Sequence, residues 1–291
     1  MCRVAAVIQT GEAKISPAEL KNFLLNMEYF GRDACGIAYL IGDNVRYCKE
    51  TGAPSKVIGP KFEENNAEFC AQAKAILIHT RQATHGSPKE RVNNHPIFGD
   101  KYCIIHNGIV QTDMVYQADG ATDTEQLLRS MEKHGITAGL NRCSGQAAVI
   151  MFNLLNMNEV YFYRSDNSSM SCAWDEANHI LFIASEMAII NKSVIGRTVE
   201  EYSMVSDNLY QYILSSDTCR IISEPKLKGY GWFNRLSHKK GKKHGVYVGN
   251  NPPASPRVVY SSGQNQYPYY NNYYSNTANL QTEFRGKGSM R

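Results

Sequence analysis

Apolar residues along the first three quarters of the chain come in short runs. Val4–Gln9, Gly36–Ile41, Ala75–His79, Cys103–His106, Gln146–Phe152, Val160–Arg164, Ile180–Ala184, Leu209–Leu214 and Cys219–Ser223 lie between polar or turn-forming clusters, which predicts strands. Two segments carry a helical period instead. In Ser16–Tyr29, Ser16 is placed to cap and Pro17 sits in the first turn. In Asp123–His134, Asp123 is the expected cap and Leu127, Leu128 and Met131 fall on one face. Strands joined mostly by short turns, with few helices, predict an α+β domain of antiparallel sheets. A doubly wound α/β sheet needs regular strand–helix alternation, which is missing, and no internal repeat is visible.

The pattern fades near the end. Branched aliphatic residues nearly vanish after Val259, and the Tyr/Asn-rich stretch Tyr267–Tyr274 follows Pro252 and Pro253. Such a segment cannot offset its ordering entropy by burial, so residues 226–291 are expected to form a disordered, low-complexity tail. Charge divides at the same place. Residues 226–291 hold 11 Lys/Arg against the single acid Glu283, a net of +10, whereas residues 1–225 carry a net of −6. Basic and aromatic residues interleaved over 235–274 raise single-stranded nucleic acid as a partner of the tail. A solvated tail and partner docking are the alternatives.

The remaining composition narrows the class. Hydrophobic residues make up 43% of the chain, but no apolar run approaches the roughly 18 residues of a membrane helix. The N-terminus lacks the basic and apolar regions of a secretory signal. Eight cysteines are scattered without CxxC pairs, as expected of free thiols in a reducing cytoplasm. No Gly-rich phosphate loop is present.

Candidate chemistry begins at Cys2. Removal of Met1 would expose a residue carrying both a thiol and a free α-amine, whose ordinary pKa of about 7.7–8.0 suits a general base. A nucleophile activated by its own N-terminal amine is a known variant of the nucleophile–base pair. The bland alternative is a small buried hydrophobe at the head of a strand. A second concentration of polar groups spans His79–Gly108. Arg81 offers a fork for a carboxylate. Asn107 supplies a side-chain N–H and Gly108 an unobstructed backbone N–H, the two donors of an oxyanion hole. Asn107-Gly108 is equally a hairpin-turn signal. Histidines 79, 85, 95 and 106 raise a metal site, but their spacings match no zinc pattern, and Arg81 and Asn107-Gly108 would be left unexplained. No metal or cofactor is expected.

Six motifs follow one another: Cys2, Gly31-Arg-Asp-Ala-Cys-Gly-Ile37, His79-Thr-Arg-Gln-Ala-Thr-His-Gly86, Asn94-His-Pro96, His106-Asn-Gly108 and Thr122-Asp-Thr-Glu125. In this order they closely resemble the class II glutamine amidotransferase domain, an N-terminal-nucleophile hydrolase. The resemblance spans residues 2–225 and implies a four-layer αββα sandwich of two antiparallel sheets. It also implies L-glutamine as substrate, with Cys2, Asn107 and Gly108 catalytic. Arg81 would hold the substrate carboxylate and Asp123 its ammonium, with Thr84, His85 and Gly86 lining the pocket. Residues 226–291 are too few and too polar for a synthase fold, so a separate ammonia-consuming synthase is the expected partner. The alternatives are an Ntn amidohydrolase of another amide, against which the Arg81/Asp123 pair argues, and a catalytically silent regulatory or nucleic-acid-binding protein. The chain departs from the usual pattern at Gln82, where Trp or Tyr is common, and at Phe30-Gly31-Arg32-Asp33, where Arg-Gly-Tyr-Asp is usual.

Overall fold

A strand whose side chains alternate between two buried layers is apolar at nearly every position. The run after Cys2 is of this kind. Ala5 and Val7 join one hydrophobic cluster, while Val4, Ala6 and Ile8 join another. The computed structural model describes residues 2–84, 86–112 and 122–227. In chain order its elements are β1 (Arg3–Gln9), α1 (Pro17–Met27), β2 (Ala34–Ile41), β3 (Asn44–Thr51), α2 (Pro54–Val57), α3 (Phe62–Gln72), β4 (Ala75–Arg81), β5 (Ile97–Phe98), β6 (Tyr102–Thr112) and α4 (Asp123–His134). There follow α5 (Ile136–Asn141), β7 (Cys143–Asn153), β8 (Glu159–Arg164), β9 (Ser171–Asp175), β10 (Ile180–Ala184), α6 (Met187–Ser193), β11 (Glu200–Tyr202), β12 (Leu209–Ile213) and β13 (Thr218–Ser223).

The strands form a seven-stranded sheet, β11-β9-β10-β1-β4-β2-β3, and a six-stranded sheet, β13-β12-β8-β7-β6-β5. Neighbours within each pair antiparallel, for example β1 with β4 and β6 with β7. Three cores separate four layers. Phe23, Leu24 and Met27 of α1 and Phe62 of α3 pack on Ile37, Ile76 and Phe182 of the larger sheet. Leu77, Leu181 and Ile183 meet Ile105, Ile150 and Phe162 between the sheets. Leu127, Leu128 and Met131 of α4 cover Ile104, Val149 and Tyr163 on the outer face of the smaller sheet. This is the α+β, helix–sheet–sheet–helix sandwich expected from the sequence.

Local chemistry sets the helix starts. Ser16 caps α1 in a full capping box with Glu19, and Pro17 opens the helix. In α4 the cap is Thr122 rather than the expected Asp123: the Thr122 hydroxyl accepts from the Glu125 amide at 3.2 Å. That releases the Asp123 carboxylate for other partners. Asn107 and Gly108 lie inside β6, so the hairpin-turn reading of that dipeptide does not hold. No helix of the described residues is long and apolar enough to cross a membrane. Of the expected tail, Lys226 and Leu227 still touch the domain, the Lys226 amide donating to Asn141 and Leu227 packing beside α4 and α5. Residues 235–274 and the rest of the tail lie outside the described residues.

A buried ion-pair network ties α1 to the larger sheet. Arg197 donates to Glu19 at 2.6 Å and to Asp175 at 3.1 Å, and both carboxylates are almost fully buried. Removing the cation strands two buried anions. Arg197→Met is therefore expected to cost about 3–5 kcal/mol in urea-unfolding stability at neutral pH. The loss should shrink as acid protonates Glu19, whose carboxyl the Arg197 and backbone hydrogen bonds hold below its ordinary range in spite of burial.

Candidate active site

Cys2 precedes β1, the middle strand of the larger sheet. Arg3 pairs with Thr80, which sets Cys2 alongside the end of β4. Its Sγ–H donates to the Gln82 carbonyl at 3.5 Å. Burial pushes the Cys2 thiol up from its ordinary value, while the Arg81 charge pulls it down and Asp123 pushes it up. At neutral pH the thiol therefore keeps its proton and needs a base to attack. The start of β1 is fixed from its other side too: the Ser185 hydroxyl accepts from the Val4 amide at 3.0 Å, and the Ser185 amide donates to the Val4 carbonyl.

Arg81 ends β4 with a buried guanidinium aimed along the following loop. It donates to Asn94 Oδ1 at 2.6 Å and to the Gly86 carbonyl at 3.0 Å. These bonds curl residues 82–94 back over the strand end. Gly86 has φ +70°, and an added Cβ would stand 2.9 Å from Asn93 and 3.2 Å from Thr122, so this turn requires glycine. Asp33 pins the same loop from the β2 side, accepting from Ala83 N at 2.8 Å and Gln82 Nε2 at 3.0 Å. Gln82 is thus a tethered side chain where the resembled pattern has an aromatic. Thr84 is exposed on the loop; His85 lies outside the described residues.

The second wall comes from the smaller sheet. Asn107 is buried, and its Oδ1 has no hydrogen-bond partner among the described residues. Gly108 has φ +149°, and a Cβ there would lie 2.1 Å from the Gln146 carbonyl and 2.9 Å from His106 Nε2. Asp123 leans back onto this strand, its Oδ2 accepting from Val110 N at 3.1 Å and its Oδ1 from Thr124 N at 3.0 Å.

Three buried histidines lie behind this wall. His79 of β4 donates from Nε2 to the His106 carbonyl at 3.1 Å, joining the two sheets at the residue before Asn107. The Thr124 hydroxyl bridges His95 Nε2 at 3.1 Å and His106 Nδ1 at 2.9 Å. His79 and His95 stack with centroids 4.0 Å apart. Burial drives His79 down to about 3 and His95 well below its ordinary value, and lowers His106 against the pull of Asp123. All three are neutral. Among the described residues no group of His, Cys, Asp or Glu is arranged to hold a metal ion.

Of the sequence candidates, Cys2, Arg81, Gly86, Asn107, Gly108 and Asp123 are thus drawn together by one set of strand ends and loops. Three further participants escaped the sequence reading: Arg3, Asp33 as the loop's anchor, and Thr124 as the histidine bridge. A lone arginine heading an otherwise apolar buried run was the available signal for Arg3. Asp33 and Thr124 sit inside motifs that were recognised, but their partners are 50 and 18–29 residues away in the chain.

Two sheets with helices on both outer faces define the N-terminal-nucleophile hydrolase fold. Within that fold, the relatives of this chain are glutamine amidotransferases of class II, and the resemblance holds at the level of the amidotransferase domain. Glutamine–fructose-6-phosphate aminotransferase (isomerizing) of Helicobacter pylori is 25% identical over 259 residues, 83% of this chain and 40% of that protein. The Francisella tularensis enzyme of the same name is 35% identical over 122 residues, 38% of this chain and 19% of its own length. Among solved structures, glutamine phosphoribosylpyrophosphate amidotransferase from B. subtilis superposes with a TM-score of 0.55 at 16% identity, a likeness of fold. That match covers 76% of this chain and 49% of the other. The chain therefore spans less than half the length of each of these relatives. No family model matches it.

Proposed function

We propose that residues 2–225 form a glutamine-hydrolysing amidotransferase domain in which Cys2, as N-terminal residue, is the nucleophile. The observation that carries this reading is the placement of Cys2, its Sγ 3.5 Å from the Gln82 carbonyl, beside the strand end of the buried Arg81, with Asp123 close enough for its charge to act on the thiol. A cation and an anion beside one nucleophile suit the carboxylate and ammonium of a free amino acid; a plain amide would need neither.

The α-amine of Cys2 takes the thiol proton as sulfur attacks the side-chain amide carbon of glutamine. Negative charge collects on the former amide oxygen, where Asn107 Nδ2 and the Gly108 N–H stabilise it. The C–N bond breaks, the amine returns its proton to the leaving nitrogen, and ammonia departs. Water, deprotonated by the same amine, then cleaves the thioester to glutamate and restores the thiol. Arg81 orients the substrate carboxylate and Asp123 its ammonium, with Thr84, His85 and Gly86 shaping the pocket. Eight free cysteines fit a cytoplasmic setting. The released ammonia is proposed to pass to a synthase that residues 226–291 do not themselves supply, since they hold too little apolar material to build such a core.

The test is intact-mass spectrometry of the untagged protein after incubation with 6-diazo-5-oxo-norleucine, a glutamine analogue that alkylates such thiols. Loss of Met1 and one adduct, mapped to Cys2, is the expected result. A retained Met1, or no adduct, overturns the proposal.

A further inference from the structure

The residue after the nucleophile is a buried arginine in an otherwise apolar strand, and the chemistry above makes no use of it. Arg3 is 5% exposed. Its Nη1 donates to the Cys2 carbonyl oxygen at 3.0 Å and its Nη2 to Glu186 Oε1 at 2.7 Å. Its Cζ stands 3.7 Å from the centroid of the Phe30 ring, so the guanidinium lies against the aromatic face. Phe30 occupies the position at which the resembled pattern carries arginine. Its outer side is covered in turn by Tyr29, edge-on at 4.7 Å between centroids. A buried charge held by one carboxylate and one ring, and spent on a single backbone carbonyl, is costly unless it does something there.

We propose that Arg3 is a positioning residue for the nucleophile: its guanidinium fixes the Cys2 carbonyl and places a positive charge beside the Cys2 α-amine, favouring the uncharged, basic form of that amine. This rests on the reading of Cys2 as N-terminal nucleophile. Within one residue the amine nitrogen and carbonyl oxygen are about 3 Å apart, which brings the guanidinium charge to about 5–6 Å from the amine. At that distance a unit charge in a partly solvated site moves a titration by about half a unit to one unit.

Among the described residues, the charged side chains that act on Cys2 are Arg81 from β4 and Asp123 from α4; Asp33 lies beyond, on the Gln82 loop, and Glu186 is held by Arg3. Arg81 acts in the same direction as Arg3, and the three carboxylates act against it. Bound glutamine would neutralise Arg81 with its carboxylate and Asp123 with its ammonium. The Arg3–Glu186 pair is left untouched, so its field on the amine persists through the reaction.

Full-length chain released with Cys2 as first residue, and its Arg3→Gln and Glu186→Gln variants, separate the possibilities. The α-amine is titrated by acetic anhydride labelling against pH, followed by mass spectrometry of the N-terminal peptide, and the pH profile of kcat/KM for glutamine is measured alongside. Arg3→Gln is expected to raise the amine midpoint and the acid limb of kcat/KM by about half a unit to one unit. Its kcat at neutral pH should fall several-fold while KM for glutamine stays near wild type. Glu186→Gln, at a half-exposed position that folding should tolerate, is expected to move both midpoints the opposite way. A purely structural role for Arg3 would not give shifts of opposite sign. Midpoints that do not move, or that move together in one direction, overturn the inference. The labelling reads the amine whether or not glutamine is hydrolysed, so an inactive wild type would sink the glutaminase proposal and leave this one to be judged by the titration.

Discussion

Asn107→Ala is expected to lower kcat for glutamine hydrolysis by about 10²–10³-fold, the usual consequence of losing one oxyanion donor, with no loss of stability. The two halves of this result have separate causes. Activity should fall because Asn107 Nδ2, as the proposed oxyanion donor, would meet negative charge that exists only after attack, so KM for glutamine should stay within about two-fold of wild type. Stability holds because Asn107 Oδ1 is buried without a partner in the free protein. Such an orphaned group costs about 1–3 kcal/mol, and alanine removes the cost along with the side chain. A small cavity offsets part of that gain, so the urea midpoint should be unchanged or slightly higher. Steady-state ammonia release and urea titration of the same sample test both halves. A variant that loses stability in proportion to activity would mean Asn107 is a framework residue. Gly108→Ala should behave differently, because its Cβ would collide with the Gln146 carbonyl and the strand itself must shift.

The second large effect is acid sensitivity above the carboxylate range. His79, His95 and His106 are held neutral by burial, with values lowered from the ordinary 6.5. Well above pH 6.5 the folded and unfolded chains bind the same number of protons at these sites, and the histidines contribute nothing to the pH slope. Below pH 6.5 the unfolded chain takes up protons that the folded chain refuses, so stability falls with pH. Each histidine that stays neutral contributes about 1.4 kcal/mol per pH unit, so His79 and His95 together contribute about 3, and His106 adds to them in the same direction. Over two units that is about 6 kcal/mol, comparable to the stability of a marginal domain. The protein is therefore expected to unfold cooperatively between about pH 4 and 5.5, before carboxylates such as Glu19 and Asp217, whose own values are depressed, begin to protonate. Urea unfolding at pH 7.5, 6.5 and 5.5 measures the slope. His79→Gln keeps a donor for the His106 carbonyl but cannot titrate, and should lower the slope by about 1.4 kcal/mol per pH unit. An unchanged stability down to pH 5 would show that the three rings accept protons in the folded state.

What could be read from the chain, and what could not, divides along a physical line. β1, β4 and β10 were legible because both faces are buried, leaving uninterrupted apolar runs. β3 was not: it is an edge strand in which exposed Asn44, Arg46 and Thr51 interrupt the buried positions. Nor was α3, which needs only Phe62, Phe69 and Cys70 to dock and is otherwise polar. Within the site, Arg81, Asn107, Gly108 and Asp123 announced themselves through local motifs. The Thr122 cap was misassigned by one residue because Thr and Asp are both good caps and only the geometry tells them apart. The histidine bridge could not be read at all, and of the Arg3 clamp only the lone arginine in an apolar run was visible, not its partners. Each depends on which strand ends up facing which, and strand order is a property of the whole sheet pairing.

The placement of Cys2 at the head of the middle strand has a practical consequence for anyone producing this protein. Its backbone leads directly into the strand pairing that follows, so any residue left in front of it would be joined at the proposed nucleophile itself. A purification handle or a cleavage scar at that end would block the proposed base and occupy the room meant for substrate. Preparations so tagged would fold, purify and look inert. A handle placed after Arg291 avoids this, and a lack of activity means little until the first residue of the sample has been sequenced.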